Sequence, residues 1–183
     1  LGTLLAIMPW NYPFWQVFRM VIPNLIVGNT VMVKHAPNTT GCQLAIEQLF
    51  LECLPESVYS ALLVEVETVE AVIAHPSVCG VTLTGSAKAG RSVAALAGQA
   101  LKKVVLELGG SDPYLILANN DKAAVLAAAK ICVTARMANA GQVCISPKRI
   151  IIHKQHYSLF KEEVLRLMQD YCLGDPMDET SQM

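Results

Sequence analysis

The stretch "NAGQVCISPKR", Asn139 to Arg149, sets a cysteine between a Gly-Gln-Val step and a basic cluster. A thiolate is a strong nucleophile, yet free cysteine is also among the most buried residue types. Taken alone, Cys144 is either a nucleophile or a core filler. In "VLELGG", Val105 to Gly110, Glu107 ends an apolar run. A carboxylate there is costly to bury unless paired, and one held that way can act as a general base. A strand-end glutamate facing solvent would read the same. "MPWNYPFWQVFRM", Met8 to Met20, brackets Asn11 between Pro9 and Pro13. A side-chain amide fixed in such a turn can donate to a developing oxyanion, although asparagine also serves turns for their own sake.

"TLTGSAKAG", Thr82 to Gly90, runs from a strand pattern into a helix pattern across Gly85-Ser86. The free N–H groups of a helix's first turn suit a pyrophosphate, Gly85 lets a ligand approach the backbone, and Ser86 can cap and donate. The second glycine comes five residues after the first, so this is not the GxGxxG fingerprint, and an ordinary helix start explains the same residues. Lys34 ends "TVMVK". A strand-end lysine is commonly just solvated.

These groups need a frame. Short apolar runs predict strands at "GTLLAIMP", "TVMVKH", "SALLV", "CGVTLTG" and "KKVVLEL". Helical spacing predicts helices over Phe14–Val27, Thr39–Cys53, Glu65–Ala74 and 86–100, with Asn38 or Thr39 capping the second. Pro23 must sit near a bend or a helix start. Strands alternating with helices predict an α/β fold with a doubly wound parallel sheet. Asn11, Lys34, Gly85 and Glu107 then fall at the carboxyl ends of parallel strands, where open α/β sheets bind ligands. After the Gly109-Gly110 pair, a candidate boundary between 1–107 and 108–183, come "DPYLIL", a helix from about Asp121 to Ala138, "RIIIH" and a helix over Tyr157–Tyr171. These begin a second α/β domain.

Net charge is −1, which gives no long-range pull toward nucleic acid or an anionic membrane. Apolar residues make up 53%, but no uninterrupted run is long enough to span a bilayer. The excess implies strands buried on both faces, or surfaces covered by other parts of a longer protein. The six cysteines form no Cys-x-x-Cys pair, so no metal site is expected, and reduced thiols in a cytoplasm fit their scatter. The start has no signal-peptide pattern and no initiator Met, and the end "DPMDETSQM" stops without a closing element. The chain reads as a fragment of a longer protein.

"MPWNYPFWQ", "NTVMVKHAP", "TLTGSAKAG", "LELGGSDP" and "NAGQVCIS" occur in the order and at the spacings that resemble the aldehyde dehydrogenase superfamily. "ELGGSDP" and "VKHAPN" look most like its bacterial succinate-semialdehyde dehydrogenase branch. The resemblance implies a Rossmann-like cofactor domain running into a catalytic domain, and oxidation of a small aldehyde with NAD or NADP. Cys144 matches the nucleophile, Asn11 the oxyanion donor and Glu107 the base that activates water. Lys34 matches a lysine that reaches the adenosine ribose, Gly85 and Ser86 a pyrophosphate contact, and Trp10 a neighbour of the nicotinamide. Pro37 stands where NAD-selective relatives often carry a glutamate, which makes NADP+ admissible. Arg19 matches an arginine that grips a substrate carboxylate. A second such arginine, placed in some relatives directly before the asparagine of the cysteine loop, is Ala138 here, and the nearest is Arg136. Glu65 and Glu67 stand where a glycine-rich turn is common, so that loop is expected to differ or to point them away. The resemblance also implies a cytoplasmic homo-oligomer for the full-length protein and an inactive isolated fragment. A cofactor-independent cysteine thioesterase would instead need His35, His75, His153 or His156 as base, and no motif places one.

Overall fold

The structure is a computed structural model, and it describes residues 2–117 and 121–183. The chain divides into two units, Leu1–Gly109 and Gly110–Met183.

In the first unit, β1 (Thr3–Ile7), β2 (Thr30–Lys34), β3 (Tyr59–Ala61), β4 (Val78–Gly85) and β5 (Lys103–Leu108) form one sheet in the order β3-β2-β1-β4-β5. Every pairing is parallel. The crossovers carry α1 (Trp15–Ile26), α2 (Thr40–Cys53), α3 (Val69–Ala74) and α4 (Ala87–Gln99). Side chains alternate across a strand, so Leu5 and Ala6 enter opposite faces. Ala6 packs with Val17 and Val21 of α1 and Ile46 and Phe50 of α2. Leu5 packs with Val69 and Ile73 of α3 and Val93 and Ala97 of α4. Helices on both faces explain why "LLAI" is apolar throughout. The chain leaves β1 toward β2 and β3, then returns to β1's other side with β4. The order therefore reverses between β1 and β4, and open α/β sheets bind ligands in the crevice at the carboxyl ends of such a pair.

Several boundaries differ from the sequence reading. The third strand covers Tyr59–Ala61 instead of 60–64, because Leu62 N makes the last bond to β2, at Val33 O. The third helix starts only at Val69, after a 3₁₀ turn over Val66–Thr68. Val64, Val66, Thr68 and Val69 are β-branched and stiff, which disfavours an earlier helix start. Thr39 occupies the N-cap of α2 without capping it: its Oγ1 donates to Ala36 O at 3.1 Å. Pro23 lies inside α1, whose last residue is Ile26.

In the second unit, β6 (Pro113–Ile116) and β7 (Arg149–Ile152) pair in parallel. Between them runs α5 (Lys122–Met137), and α6 (Tyr157–Gln169) follows. Ile116, Val125, Ala129, Cys132 and Phe160 form the core. Residues 122–141 are long and apolar enough, by length and composition alone, to cross a membrane. Val125, Ala129, Cys132 and Val133 are buried within the unit. After α6, Gln182 N donates to Cys172 O and Gly174 N to Met183 O. Leu115 and Ile151 are exposed on the outer face of β6 and β7, so part of the apolar excess lies on the surface.

Candidate active site

The carboxyl edge of the first sheet gathers six of the residues singled out from sequence. Ile7, the last residue of β1, lies opposite Lys34, the last of β2, and opposite Leu83 of β4. Beyond Ile7 the chain turns through Trp10 and Asn11. Two bonds from one dipeptide fasten that turn: Met8 N donates to Lys34 O at 2.9 Å, and His35 Nε2 donates to Pro13 O at 3.1 Å. Asn11 is half-buried between these anchors, and Trp10 is exposed.

Lys34 is 6% exposed. Its Nζ donates to His35 O at 3.3 Å. That is its one acceptor among the described residues, and an ammonium has three donors. His35 is buried too. Gln43 locks its backbone, accepting from His35 N and donating to Val33 O. Burial pulls the His35 pKa below that of an ordinary imidazole, against a smaller opposing effect from its bond to Pro13.

Gly85 ends β4, and a Cβ there would meet only Leu83, at 3.5 Å, so the outer side is open. Ser86 is the N-cap of α4 and its Oγ accepts from Ala89 N at 3.2 Å. Gly90 serves packing: a Cβ there would stand 2.6 Å from Leu108 Cδ2. Hence α4 lies close against the end of β5 with its first turn at the crevice. An open glycine edge, a capped helix start and a buried lysine with spare donors fit a dinucleotide's phosphates and ribose.

Glu107 pairs in register with Thr84, and Gly85 with Leu108. Glu107 is exposed, so of the two sequence readings it is the solvent-facing strand-end glutamate. In β5 the inward positions are Val104, Leu106 and Leu108, so Glu107 points to the opposite side with Lys103 and Val105. Arg19 is exposed on α1, with no hydrogen bond or ion pair among the described residues. Glu65 and Glu67 are both exposed around the 3₁₀ turn.

Cys144 belongs to the second unit, half-buried in the loop before β7. Its Sγ has no hydrogen-bond partner among the described residues of that unit. The histidines of the unit are engaged elsewhere: His153 Nδ1 accepts from Gln155 N, and the His156 ring bonds Gln155 Nε2. Neither ring is hydrogen-bonded to Cys144 among the described residues of that unit. Lys148 Nζ donates to Gly110 O and, at 3.4 Å, to Cys144 O. Arg136 Nη1 donates to Gly141 O at 3.3 Å and to Ser146 Oγ at 2.7 Å. Arg136 is thus committed to the loop. Sequence reasoning missed the loop contacts of Lys148 and Ser146, and the part His35 plays at the turn. The basic pair Lys148-Arg149 was the one visible sign.

Of the other cysteines, Cys132 is buried filler, and burial raises its pKa. Cys53, Cys79 and Cys172 are exposed.

The sequence profile described as the aldehyde dehydrogenase family matches residues 1–183. The succinate-semialdehyde dehydrogenase [NADP(+)] of Deinococcus radiodurans is 46% identical over 184 residues, which is 100% of this chain and 38% of that protein. The succinate semialdehyde dehydrogenase [NAD(P)+] Sad of Escherichia coli K12 is 44% identical over 98% of this chain and 38% of that protein. The crystal structure of succinic semialdehyde dehydrogenase from Streptococcus pyogenes with NADP+ superposes with a TM-score of 0.92 at 39% identity, covering 100% of this chain and 40% of that one. The chain spans about two-fifths of the length of these relatives.

Proposed function

The chain belongs to the aldehyde dehydrogenase family, and from that premise we propose that the complete protein oxidises succinate semialdehyde to the diacid with NAD+ or NADP+. The observation that carries the reading is the carboxyl edge of the first sheet. There Asn11 follows β1, Lys34 and Gly85 end β2 and β4, Ser86 follows Gly85, and Glu107 lies next to the end of β5, all on the edge where the strand order reverses between β1 and β4.

Lys34 would hold the adenosine ribose of the cofactor, Gly85 and Ser86 its pyrophosphate, and Trp10 would flank its nicotinamide end. When bound, the cofactor would supply the acceptor for the hydride that leaves the aldehyde carbon. The Cys144 thiolate attacks that carbon, forming a C–S bond and a thiohemiacetal. Asn11 and the N–H of Cys144 donate to the oxygen as it becomes an oxyanion. Loss of hydride leaves a thioester on Cys144. Glu107 takes a proton from water, the hydroxide attacks the acyl carbon, and the thiolate departs. Exposure leaves Glu107 able to reach water. The roles of Cys144, Asn11 and Glu107 rest on the match of their motifs to the family.

Pro37 offers no carboxylate against a 2′-phosphate, so NADP+ is admitted beside NAD+. Arg19 pairs with the substrate carboxylate. With Arg136 committed to the loop and Ala138 apolar, it acts without a second arginine. The near-neutral charge and scattered free thiols support a cytoplasmic enzyme, and the family supports a homo-oligomer. Neither nucleic acid nor a membrane is a partner in this reading.

The test follows reduced-cofactor absorbance in the complete protein, with succinate semialdehyde and butanal, each with NAD+ and NADP+. Reduction that favours the acid-bearing aldehyde and vanishes in Cys144→Ser supports the reading. Reduction that persists in Cys144→Ser contradicts it.

A further inference from the structure

We propose that Arg136 is a positioning residue for Cys144, holding the cysteine loop in one reactive geometry through Gly141 and Ser146. The inference rests on Cys144 being the nucleophile. Arg136 stands in the last turn of α5. Just beyond, the backbone turns left-handed at three successive residues: φ is 50° at Asn139, 56° at Ala140 and 74° at Gly141. Asparagine and glycine accept that region, but alanine does so only under strain. A strained turn persists where its surroundings over-determine it.

Arg136 supplies that constraint. Its Nη1 holds Gly141 O at 3.3 Å and Ser146 Oγ at 2.7 Å, while Ser146 Oγ lies 3.4 Å from Arg136 O and donates to it. These bonds close a ring from residue 136 to residue 146, and Cys144 lies inside it. The far end is firm, because Ser146 and Pro147 are buried. Gly141 is required twice. Its φ is positive, and a Cβ would stand 2.8 Å from Arg136 Nη1 and 3.1 Å from Arg136 O. A guanidinium suits the task because its planar donors grip two acceptors at fixed angles, with charge-assisted bonds. Lys148 adds a second tie at Cys144 O. Misplacing the thiol or its own N–H would weaken attack and oxyanion binding together.

The test uses the complete protein with Arg136→Met, Arg136→Lys, Ser146→Ala and the Arg136→Met/Ser146→Ala double variant. We expect Arg136→Met to lower kcat roughly ten- to hundredfold, with KM for the nucleotide unchanged. Hydrogen exchange of residues 139–146 should quicken, and the pH profile of Cys144 alkylation should change. Arg136→Lys recovers part of the loss. Ser146→Ala shifts the same readouts less, and the double variant is no worse than Arg136→Met, because the two residues act as one unit. If Arg136→Met does not fold, Ser146→Ala decides through the same exchange and alkylation readouts. Native exchange in 139–146 together with an unchanged alkylation profile overturns the proposal. Aldehyde oxidation by Cys144→Ser would instead remove the nucleophile assignment, and exchange in 139–146 would still decide whether Arg136 is a brace.

Discussion

His35 reaches back across the fold to Pro13, its Nε2 donating to the proline carbonyl at 3.1 Å. With the Met8–Lys34 backbone bond, this contact fixes both ends of the turn that carries Trp10 and Asn11. The dipeptide that brings Lys34 to the crevice therefore also holds the asparagine. Because Nε2 must carry the proton it donates, Nδ1 is bare, and it is buried with no partner among the described residues.

That arrangement has a pH consequence. The folded protein disfavours the imidazolium, so the folded pKa lies below the ordinary value of 6.5. The unfolded chain then binds the proton more readily, and stability falls as pH drops from about 6.5 through the folded pKa. Melting temperatures between roughly pH 7.5 and pH 5 should fall for the wild type, and fall less for His35→Gln. Equal slopes would mean that His35 is not the group involved.

Ser86 has a cap to lose and, in the proposed reading, a ligand. Ser86→Ala should cost about 1 kcal/mol of stability and raise KM for the nucleotide. Ser86→Asp keeps a capping oxygen but sets a negative charge beside the pyrophosphate. It should keep the melting temperature near wild type while raising the nucleotide KM further. If KM moves only in step with stability, Ser86 is a cap and nothing more.

Gly90 is where α4 meets the end of β5. A valine there must displace Leu108, the neighbour of Glu107. Gly90→Val should destabilise by about 1–3 kcal/mol, read in thermal or denaturant unfolding. An unperturbed melt would mean that the helix can back away from the strand.

Much of this frame was legible from sequence. The first sheet's central strands are apolar because helices cover both faces, and that fixed their number and parallel sense. Gly85-Ser86 read correctly as a strand end and helix start. Glu107 left two readings open, a carboxylate penalised by burial or one facing solvent, and the second is the one found. "KVVLEL" alternates between inward and outward positions, but Val105 faces outward and hides the alternation. Thr39 failed as a cap because the chain enters α2 through a 3₁₀ turn. The ring from Arg136 to Ser146 was invisible, because it depends on three left-handed residues that only Gly141 announces. From sequence Arg136 was only the arginine nearest to a clamp position that Ala138 occupies, and the structure commits it to Gly141 O and Ser146 Oγ.

Arg19 carries the substrate prediction. Arg19→Ala should lower kcat/KM for succinate semialdehyde roughly ten- to hundredfold, the scale of one charge-assisted contact, and leave butanal nearly unchanged. An equal loss for both aldehydes would make Arg19 a structural residue of α1.

The central claim is that acyl transfer runs through Cys144 and that Glu107 activates the water. The most direct test is Glu107→Gln in the complete protein, mixed with succinate semialdehyde and NADP+, quenched in acid and digested for mass spectrometry. The account predicts a rapid burst of about one equivalent of reduced cofactor per site, then turnover slowed by roughly 10²–10⁴, with a succinyl adduct on the peptide that contains Cys144. Full turnover with no adduct, or an adduct on another residue, would contradict it.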